Sequence, residues 1–420
     1  MSFYQHTLAN GLEIIGETLP LAQSVALGFF VQSGSRWEES SISGVSHFLE
    51  HMVFKGSETR SAQDVNREFD AIGASFNGCT SEECTVFYAT LLPEFQEKCL
   101  EIFADILRPA LRKEDFDAEK QVILEEIEMY EDAPPFRMDE KIRQAFFGDH
   151  PLGNLVLGEP ASVENLSLAR MKEYFEKRYV PQNMLLCVCG KFDFDEVCAQ
   201  AERFCGGWSS DSAQENTSAT TIIKKTLPQA QFTPKLGFFP IRKPHSAQQY
   251  ILQLSRADGS TARKRLAGRL IDSILGDSSS SRLYWRLVDS GLAEQATLSF
   301  NEFSDAAYFS AGISCDPSVA KRVLEEAEEI FQNAQKGEIR QEELALAQNR
   351  VATHYILGYE RASERMFDLG WSWLARHEYI SIQEETTMLR SITLEEIHSF
   401  LRANPILPAL VFSVGPAKIA

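Results

Sequence analysis

The chain has 420 residues, 44% of them hydrophobic and 24% charged, and its formal net charge at pH 7 is -19. This composition is that of an ordinary globular protein, and the length favours two domains of about 200 residues each. The strong negative charge argues against nucleic acid or an anionic membrane surface as a partner.

Three features predict a cytoplasmic location. No window approaches the roughly 18 consecutive apolar residues of a membrane span, so no membrane partner is expected. The first residues lack the basic region and apolar run of a secretory signal peptide. The eight cysteines form neither a Cys-x-x-Cys pair nor a regular framework, which indicates reduced thiols in a reducing compartment.

The first predicted elements are β-strands. Asn10-Gly11 is a strong signal for a tight hairpin turn, and apolar runs at residues 12–15 and 25–31 supply strands after it. A helix is predicted to follow at about residues 43–54.

That helix carries the chemistry of the first half. Residues 44–54 read Gly-Val-Ser-His-Phe-Leu-Glu-His-Met-Val-Phe. His47 and His51 are four apart, so a helix places both imidazoles on one face, which Glu50 shares. Two imidazoles and a carboxylate on one rigid helix suit Zn²⁺, and His-x-x-Glu-His is the inverzincin signature. The alternative is a surface ion pair, but the apolar flanks indicate a buried triad, which needs partners or a metal.

Further elements follow in order. Ser61 is predicted to cap a second helix, with Asp64 three residues on. Residues 76–80 and 85–91 are predicted to form the strands of a second hairpin. An acidic stretch at residues 115–132 is predicted to be a long helix.

The acidic helix supplies candidates for a third ligand, because a catalytic zinc needs three protein ligands and an open position for water. Glu119 and Glu126 are seven residues apart, about two helical turns, so both can point at the metal. We predict that Glu126 is the ligand and that Glu119 hydrogen-bonds a ligand imidazole and fixes its tautomer. Glu125 and Glu128 are predicted to lie on a solvated face.

The second half repeats the pattern of the first. The helix that begins near Leu168 and the strand after it have counterparts that begin near Leu394, beyond a polar, aperiodic segment typical of a linker. We therefore predict a tandem duplication: a zinc-binding domain at residues 1–208, a linker at 209–230 and a homologous domain at 231–420. The second copy has no histidine in the helix at the corresponding position, so it is predicted to serve substrate contacts and closure.

Six segments carry a resemblance to a known family. They read Thr-Leu-Ala-Asn-Gly-Leu from residue 7, Gly-Ser-Arg-Trp-Glu-Glu from 34, His-Phe-Leu-Glu-His-Met-Val-Phe-Lys-Gly from 47, Gly-Ala-Ser-Phe-Asn-Gly-Cys-Thr-Ser-Glu from 73, Glu-Lys-Gln-Val-Ile-Leu-Glu-Glu-Ile from 119 and Tyr-Val-Pro-Gln-Asn-Met from 179. The chain thereby resembles the pitrilysin/insulysin inverzincin zinc metallopeptidases, in particular the small-subunit branch typified by the mitochondrial processing peptidase β-subunit.

The resemblance implies an α+β fold of two tandem homologous α/β-roll domains, each an antiparallel-rich sheet packed with helices. It also implies that the third ligand is the glutamate of the Val-Ile-Leu-x-Glu segment. Here that residue is Glu126, 75 residues after His51 (126 − 51 = 75). Glu128 lies at a spacing seen in some relatives, but the Val-Ile-Leu run aligns Glu126.

The resemblance further implies that substrate binds as an added strand along Phe76, Asn77 and Gly78. The backbone and Asn77 would bond the main chain of the peptide, and Gly78 would allow its close approach. The alternative is that this Asn-Gly pair is merely a bend.

Members of the resembled family usually carry an arginine and a tyrosine, seven apart, that bind the substrate carbonyl. Here Glu294 stands at the tyrosine position and Leu287 or Val288 at the arginine position. Three nearby residues are candidate substitutes, namely Arg282, Tyr284 and Arg286. In the resembled branch the pair can come from a companion chain, so a heterodimer with a related chain lacking the zinc motif is an alternative to the expected homodimer.

These observations predict a zinc-dependent endopeptidase that cleaves short or unfolded peptides inside a chamber formed by paired chains. His47, His51 and Glu126 would hold Zn²⁺, and Glu50 would act as general base. The rival hypothesis is a non-catalytic or partner-dependent subunit of a processing-peptidase-like complex. A purely structural zinc is disfavoured, because such sites usually fill all four positions with cysteine or histidine.

Overall fold

A computed structural model describes residues 1–208, 231–277 and 279–418. Its strands are β1 Ser2–Thr7, β2 Glu13–Thr18, β3 Val25–Val31, β4 Ser75–Thr80, β5 Thr85–Leu91, β6 Met184–Gly190, β7 Gly237–Arg242, β8 Gln249–Ala257, β9 Gln295–Glu302, β10 Ala307–Cys315 and β11 Leu410–Gly415. Its α-helices are α1 Val45–Val53, α2 Ala62–Ala71, α3 Gln96–Ile106, α4 Lys113–Asp132, α5 Met138–Phe147, α6 Pro160–Asn165, α7 Leu168–Arg178, α8 Phe194–Cys205, α9 Ala262–Gly276, α10 Ala320–Gln335, α11 Gln341–Tyr359, α12 Ala362–Arg376, α13 Ile382–Arg390 and α14 Leu394–Ala403.

Many local predictions are confirmed. The predicted first hairpin is the antiparallel pair β1 and β2, and the second is the antiparallel pair β4 and β5. Ser61 caps α2, and the side chain of Asp64 returns a bond to the Ser61 backbone, so both halves of a capping box are present.

The first sheet has the strand order β1-β2-β6-β3-β5-β4. All pairs are antiparallel except β2 with β6. Every residue of β3 and β6 is buried, as expected of central strands covered on both faces. β4 lies at one edge, so the side of this strand that faces away from β5 pairs with none of the strands described.

Helices cover both faces of this sheet. On one face α1, α3 and α8 share a core with β3 and β5. On the other face α12 packs against β3 and β6. Arg365 of α12 lies 2.6 Å from the Glu17 carboxylate of β2, and both side chains are almost fully buried. A buried pair of this kind is destabilised strongly by loss of one partner, so it fixes how α12 docks.

The second sheet has the order β7-β11-β8-β10-β9 and is parallel only between β7 and β11. This order repeats β2-β6-β3-β5-β4 of the first sheet, including the position of the parallel pair. The predicted α+β fold of two homologous modules is thus confirmed. α5 packs on β8 and β11 of this sheet.

Each compact unit of the structure contains segments from both halves of the chain. Of the described residues, one unit comprises 1–129, 154–208 and 357–379, and the other comprises 130–153, 231–277, 279–356 and 380–418. The boundaries 1–208, 209–230 and 231–420 stay a prediction. The compact units differ from them because α5 packs with the second sheet and α12 with the first. The predicted linker at 209–230 lies outside the described residues. Among the helices described, none is long and apolar enough to cross a membrane.

Candidate metal centre

The site begins at the N-terminus of α1. Gly44 precedes the helix with φ of +91°, and no side chain of its own caps it. Glu38, from the preceding loop, supplies the missing acceptors: its carboxylate accepts hydrogen bonds from the backbone N–H groups of Gly44 at 2.7 Å and Ser46 at 2.8 Å. These bonds satisfy two of the helix donors that have no partner within the helix. The turn that carries His47 is thereby held to the rest of the domain.

Three donor atoms converge beside this helix. Nε2 of His47 and Nε2 of His51 each lie 3.8 Å from Oε2 of Glu126, and the three residues form a group that could hold a metal ion. Ligands at about 2.0–2.1 Å from a tetrahedral zinc are separated from one another by about 3.3 Å. The observed spacing is close to that value. Two imidazoles and one carboxylate are also the donor types that zinc takes in catalytic sites, so the residues fit this metal.

Glu119 orients one of the imidazoles. Its Oε1 lies 2.8 Å from Nδ1 of His51, so Nδ1 donates and Nε2 is left with its lone pair towards Glu126. Lys55 forms an ion pair with the other oxygen of Glu119. Burial raises the pKa of Glu119, but the bonds to His51 and Lys55 outweigh it and hold the pKa below its usual value. Glu119 thus lies beside the His51 ring, and its role in fixing the tautomer of a zinc ligand stays a prediction.

Glu50 lies on the same helix, next to the strand β4. Its Oε2 accepts a hydrogen bond of 2.6 Å from the hydroxyl of Thr80. Burial raises the pKa of Glu50 above its ordinary value, and the Thr80 bond and the His51 charge oppose that effect only in part. A carboxylate with a raised pKa beside a metal site is suited to accept a proton and hold it.

The face of β4 towards α1 is set by alternation along the strand. Gly78 is buried, whereas Asn77 is exposed and its Oδ1 accepts from the Gly78 backbone N–H at 2.9 Å. A Cβ at residue 78 would lie 2.9 Å from Cγ of Glu50 and 2.9 Å from a ring carbon of Phe54. The sequence offered close approach of a peptide as the reason for this glycine. The structure gives a second reason for a glycine: the space that a Cβ at residue 78 would need is filled by the side chain of Glu50.

The other predicted candidates are placed as follows. Glu125 and Glu128 are exposed, as predicted for a solvated face. In the second unit, Arg282 binds the Glu343 carboxylate with two bonds of 2.8 and 2.9 Å. Arg286 is paired with two acidic side chains of α10. Both guanidinium groups therefore have carboxylate partners within their own unit.

Sequence reasoning missed three residues around the site: Glu38, Lys55 and Thr80. Glu38 belongs to the Gly-Ser-Arg-Trp-Glu-Glu segment, but its bond to the helix N-terminus spans a loop. Thr80 could have been found, since a residue two positions after Gly78 on a strand shares its face. Lys55 lies two residues beyond the end of α1, so the helical spacing that groups the histidines does not extend to it.

The cap at Glu38 leads to a pH prediction. Burial raises the pKa of Glu38 from 4.5 to about 7, against the opposing backbone hydrogen bonds. The folded state thus binds this proton more tightly than the unfolded state. The stability that this group contributes is therefore present below its ordinary pKa and is lost as pH rises through about 7.

The amide in Glu38→Gln cannot ionise, so this variant should not lose stability in this way as the pH rises. From about pH 5 to about pH 8 the stability of the variant should rise relative to the wild type, by up to about 3 kcal/mol. Thermal unfolding at both pH values measures the change. Glu39→Gln, at an exposed neighbouring position, is the matched control. A difference between variant and wild type that stays constant with pH would contradict the raised pKa.

Both halves of the chain match known protein families. Residues 14–159 match the family described as Insulinase (Peptidase family M16), and residues 165–351 match the Peptidase M16 inactive domain. A relative from Rickettsia bellii named "Uncharacterized zinc protease" is 31% identical over 432 residues, covering 100% of this chain and 99% of that protein.

Solved structures share the fold. A protease from Helicobacter pylori superposes with a TM-score of 0.89 at 19% identity and covers 99% of both chains. A chain of Complex III2 from Candida albicans superposes with a TM-score of 0.82 at 16% identity, covering 98% of this chain and 96% of that one.

Two sheets of equal strand order, with one His-His-Glu donor set among the described residues, define a duplicated metalloprotein. The chain belongs to the peptidase M16 (insulinase) family. Its relatives are named zinc proteases, and its donor set fits zinc, so zinc is the cofactor of this centre. The match of residues 165–351 to an inactive domain agrees with the lack of histidine in α9.

Proposed function

We propose that this chain is a zinc-dependent endopeptidase that hydrolyses short or unfolded peptides. The observation that carries the proposal is the convergence of His47, His51 and Glu126 beside the partly buried carboxylate of Glu50. Zinc held there supplies a Lewis acid and makes water acidic enough to lose a proton near neutral pH. Glu50 is the group of this chain that takes that proton and delivers it to the leaving amine.

The surrounding residues support these roles. Glu119 holds His51 in the tautomer that leaves Nε2 free to coordinate. Glu38 anchors the helix that carries His47 and Glu50. Rigid helical placement of both ligands and base is what proton transfer over one hydrogen bond requires.

We propose that substrate binds by strand addition along Phe76, Asn77 and Gly78. Strand β4 lies at the edge of its sheet and is adjacent to α1, so an extended peptide paired with it runs past Glu50. Pairing through the main chain tolerates many side chains, which favours broad specificity. A folded protein cannot offer such a strand, so it should resist cleavage.

The working form is proposed to be a pair of chains that encloses a chamber. Glu294 stands where the tyrosine of the resembled family would contact substrate, and Leu287 or Val288 stands where the arginine would. A second copy of this chain has the same residues, so only a related chain of different sequence could supply those two groups. A homodimer is expected, and a heterodimer with a related chain lacking the zinc motif is the alternative. The structural relative in Complex III2 comes from a multi-chain assembly, which supports a role for partners.

The second candidate function is a non-catalytic or partner-dependent subunit. It is favoured by the absence of the arginine and tyrosine at residues 287 or 288 and 294. A library of quenched fluorescent peptides separates the two hypotheses. We expect turnover that a chelator abolishes and zinc restores, with no cleavage of a folded protein containing the same sites. Turnover that appears only when a companion chain is added would identify a partner-dependent subunit. Light scattering gives the accompanying mass, expected at twice that of the chain.

A further inference from the structure

The environment of Glu50 contains a second feature, the hydroxyl of Thr80. Thr80 is the last residue of β4, and its Oγ1 donates to Oε2 of Glu50 at 2.6 Å. This distance is short for a hydroxyl donor and is typical of a bond to an ionised carboxylate. β-branching restricts the χ1 angle of threonine, so the hydroxyl has few alternative positions.

The neighbouring strand places a second hydroxyl, that of Thr85, beside Thr80. Thr85 pairs with Thr80 in the β4–β5 register, and their hydroxyl oxygens lie 3.3 Å apart. The hydroxyl of Thr85 donates instead to the backbone carbonyl of Ser33 at 2.8 Å, and both of these residues are buried. A hydroxyl has one proton. Of the two acceptors beside the Thr80 hydroxyl, the Glu50 carboxylate at 2.6 Å is nearer than the Thr85 oxygen at 3.3 Å, and a carboxylate is the stronger acceptor, so Thr80 donates to Glu50.

The rest of the Glu50 side chain is held by contact. The Cα of Gly78 leaves room for Cγ of Glu50, which a Cβ would approach to 2.9 Å. Oε2 is occupied by Thr80, and none of the described residues donates a hydrogen bond to Oε1. Oε1 lies next to Gly78, where a Cβ would approach it to 3.0 Å, so the two carboxylate oxygens have different surroundings.

We propose that Thr80 is a positioning residue that fixes Oε2 of Glu50 and leaves Oε1 to exchange the proton during peptide hydrolysis. This inference rests on the proposed role of Glu50 as general base. The same strand would pair with the substrate, so β4 places peptide and base in one register. Removing the hydroxyl should leave Glu50 free to rotate, and small misplacements of a catalytic group have large effects on rate.

The kinetic test compares two substitutions at one position. Thr80→Val keeps the branched shape and removes the hydroxyl, whereas Thr80→Ser keeps the hydroxyl. For one flexible peptide, kcat of Thr80→Val should fall on the order of 10- to 100-fold, with KM and zinc affinity changed by less than about twofold. Thr80→Ser should restore most of kcat. Thr90→Val, on β5 opposite Ser75, is the control and should change neither constant.

Two kinetic outcomes would overturn the inference. Equal loss in the serine and valine variants would show that the methyl group, not the hydroxyl, matters. A rise in KM with unchanged kcat would assign Thr80 to peptide binding.

A second measurement does not depend on turnover. In the metal-free protein, Thr80→Val should lower Tm by about 2 °C when Glu50 is present and leave it unchanged in the Glu50→Ala background. An equal drop in both backgrounds would refute the Thr80–Glu50 bond even in an active enzyme. If the bond is measured but the wild type cleaves no peptide under any condition, the proposed peptidase function fails and Thr80 has no reaction to serve.

Discussion

Glu50→Gln is expected to abolish peptide cleavage while the protein keeps about one zinc ion per chain. The amide has nearly the same shape and can still accept the Thr80 hydrogen bond through its carbonyl oxygen, but it cannot take a proton from water. Loss of a general base costs on the order of 10²–10⁴ in kcat. Peptide kinetics and metal analysis on the same preparation measure both quantities.

His47→Ala and His51→Ala provide the contrast, since each removes a nitrogen donor of the metal group. Both variants should lose zinc together with activity. If Glu50→Gln lost its zinc as the histidine variants do, Glu50 would be a ligand and the assignment of roles in the centre would be wrong.

Glu126→Gln is expected to lose zinc, and Glu128→Gln is expected to keep it. Oε2 of Glu126 faces both imidazoles at 3.8 Å, whereas Glu128 is exposed on the same helix. The two substitutions remove the same charge from α4, so the comparison controls for the acidity of the helix. Chelator competition should show a loss of affinity for Glu126→Gln larger than the 10–100-fold typical of removing a partner of a ligand.

Glu119→Gln measures that smaller effect. Its carboxylate holds His51 by a bond of 2.8 Å and does not belong to the donor group, so zinc affinity should fall about 10–100-fold without being abolished.

The comparison of Glu126 with Glu128 has its own contrary outcome. Full zinc affinity in Glu126→Gln, combined with loss in Glu128→Gln, would move the third ligand to residue 128.

The sequence predicts those turns, caps and helices whose conformation depends on residues close by in the chain. Asn10-Gly11 forms its turn, Ser61 and Asp64 form a reciprocal cap, and the helix with the two histidines is present at residues 45–53. Each depends on backbone geometry or on bonds within four residues, so local spacing is sufficient. The duplication was also visible in the sequence. Two copies of one fold need their helices and strands in the same order, so their apolar residues recur with the same spacing.

The exchange of α5 and α12 between the compact units could not be read from sequence. Both are amphipathic helices, and amphipathicity shows that one face is buried without showing against which sheet. Arg365 is an example, because its partner Glu17 is 348 residues away in the sequence. A charged residue in a helix is predicted to be exposed unless the packing partner of that helix is known.

At the metal centre, residue spacing alone was enough to place His47, Glu50 and His51 on one side of a helix, because a helix has 3.6 residues per turn. Spacing along the acidic helix, together with the family resemblance, predicted Glu126 as the third ligand and Glu119 as the partner of an imidazole. The actual contacts come from the packing of α1 against α4 and β4, which places Glu126 beside both imidazoles, Glu119 at Nδ1 of His51 and Thr80 at Glu50. Those contacts join elements separated by 30 to 79 residues (80 − 50 and 126 − 47), and such distances are fixed by how helices and strands pack, which local patterns do not encode.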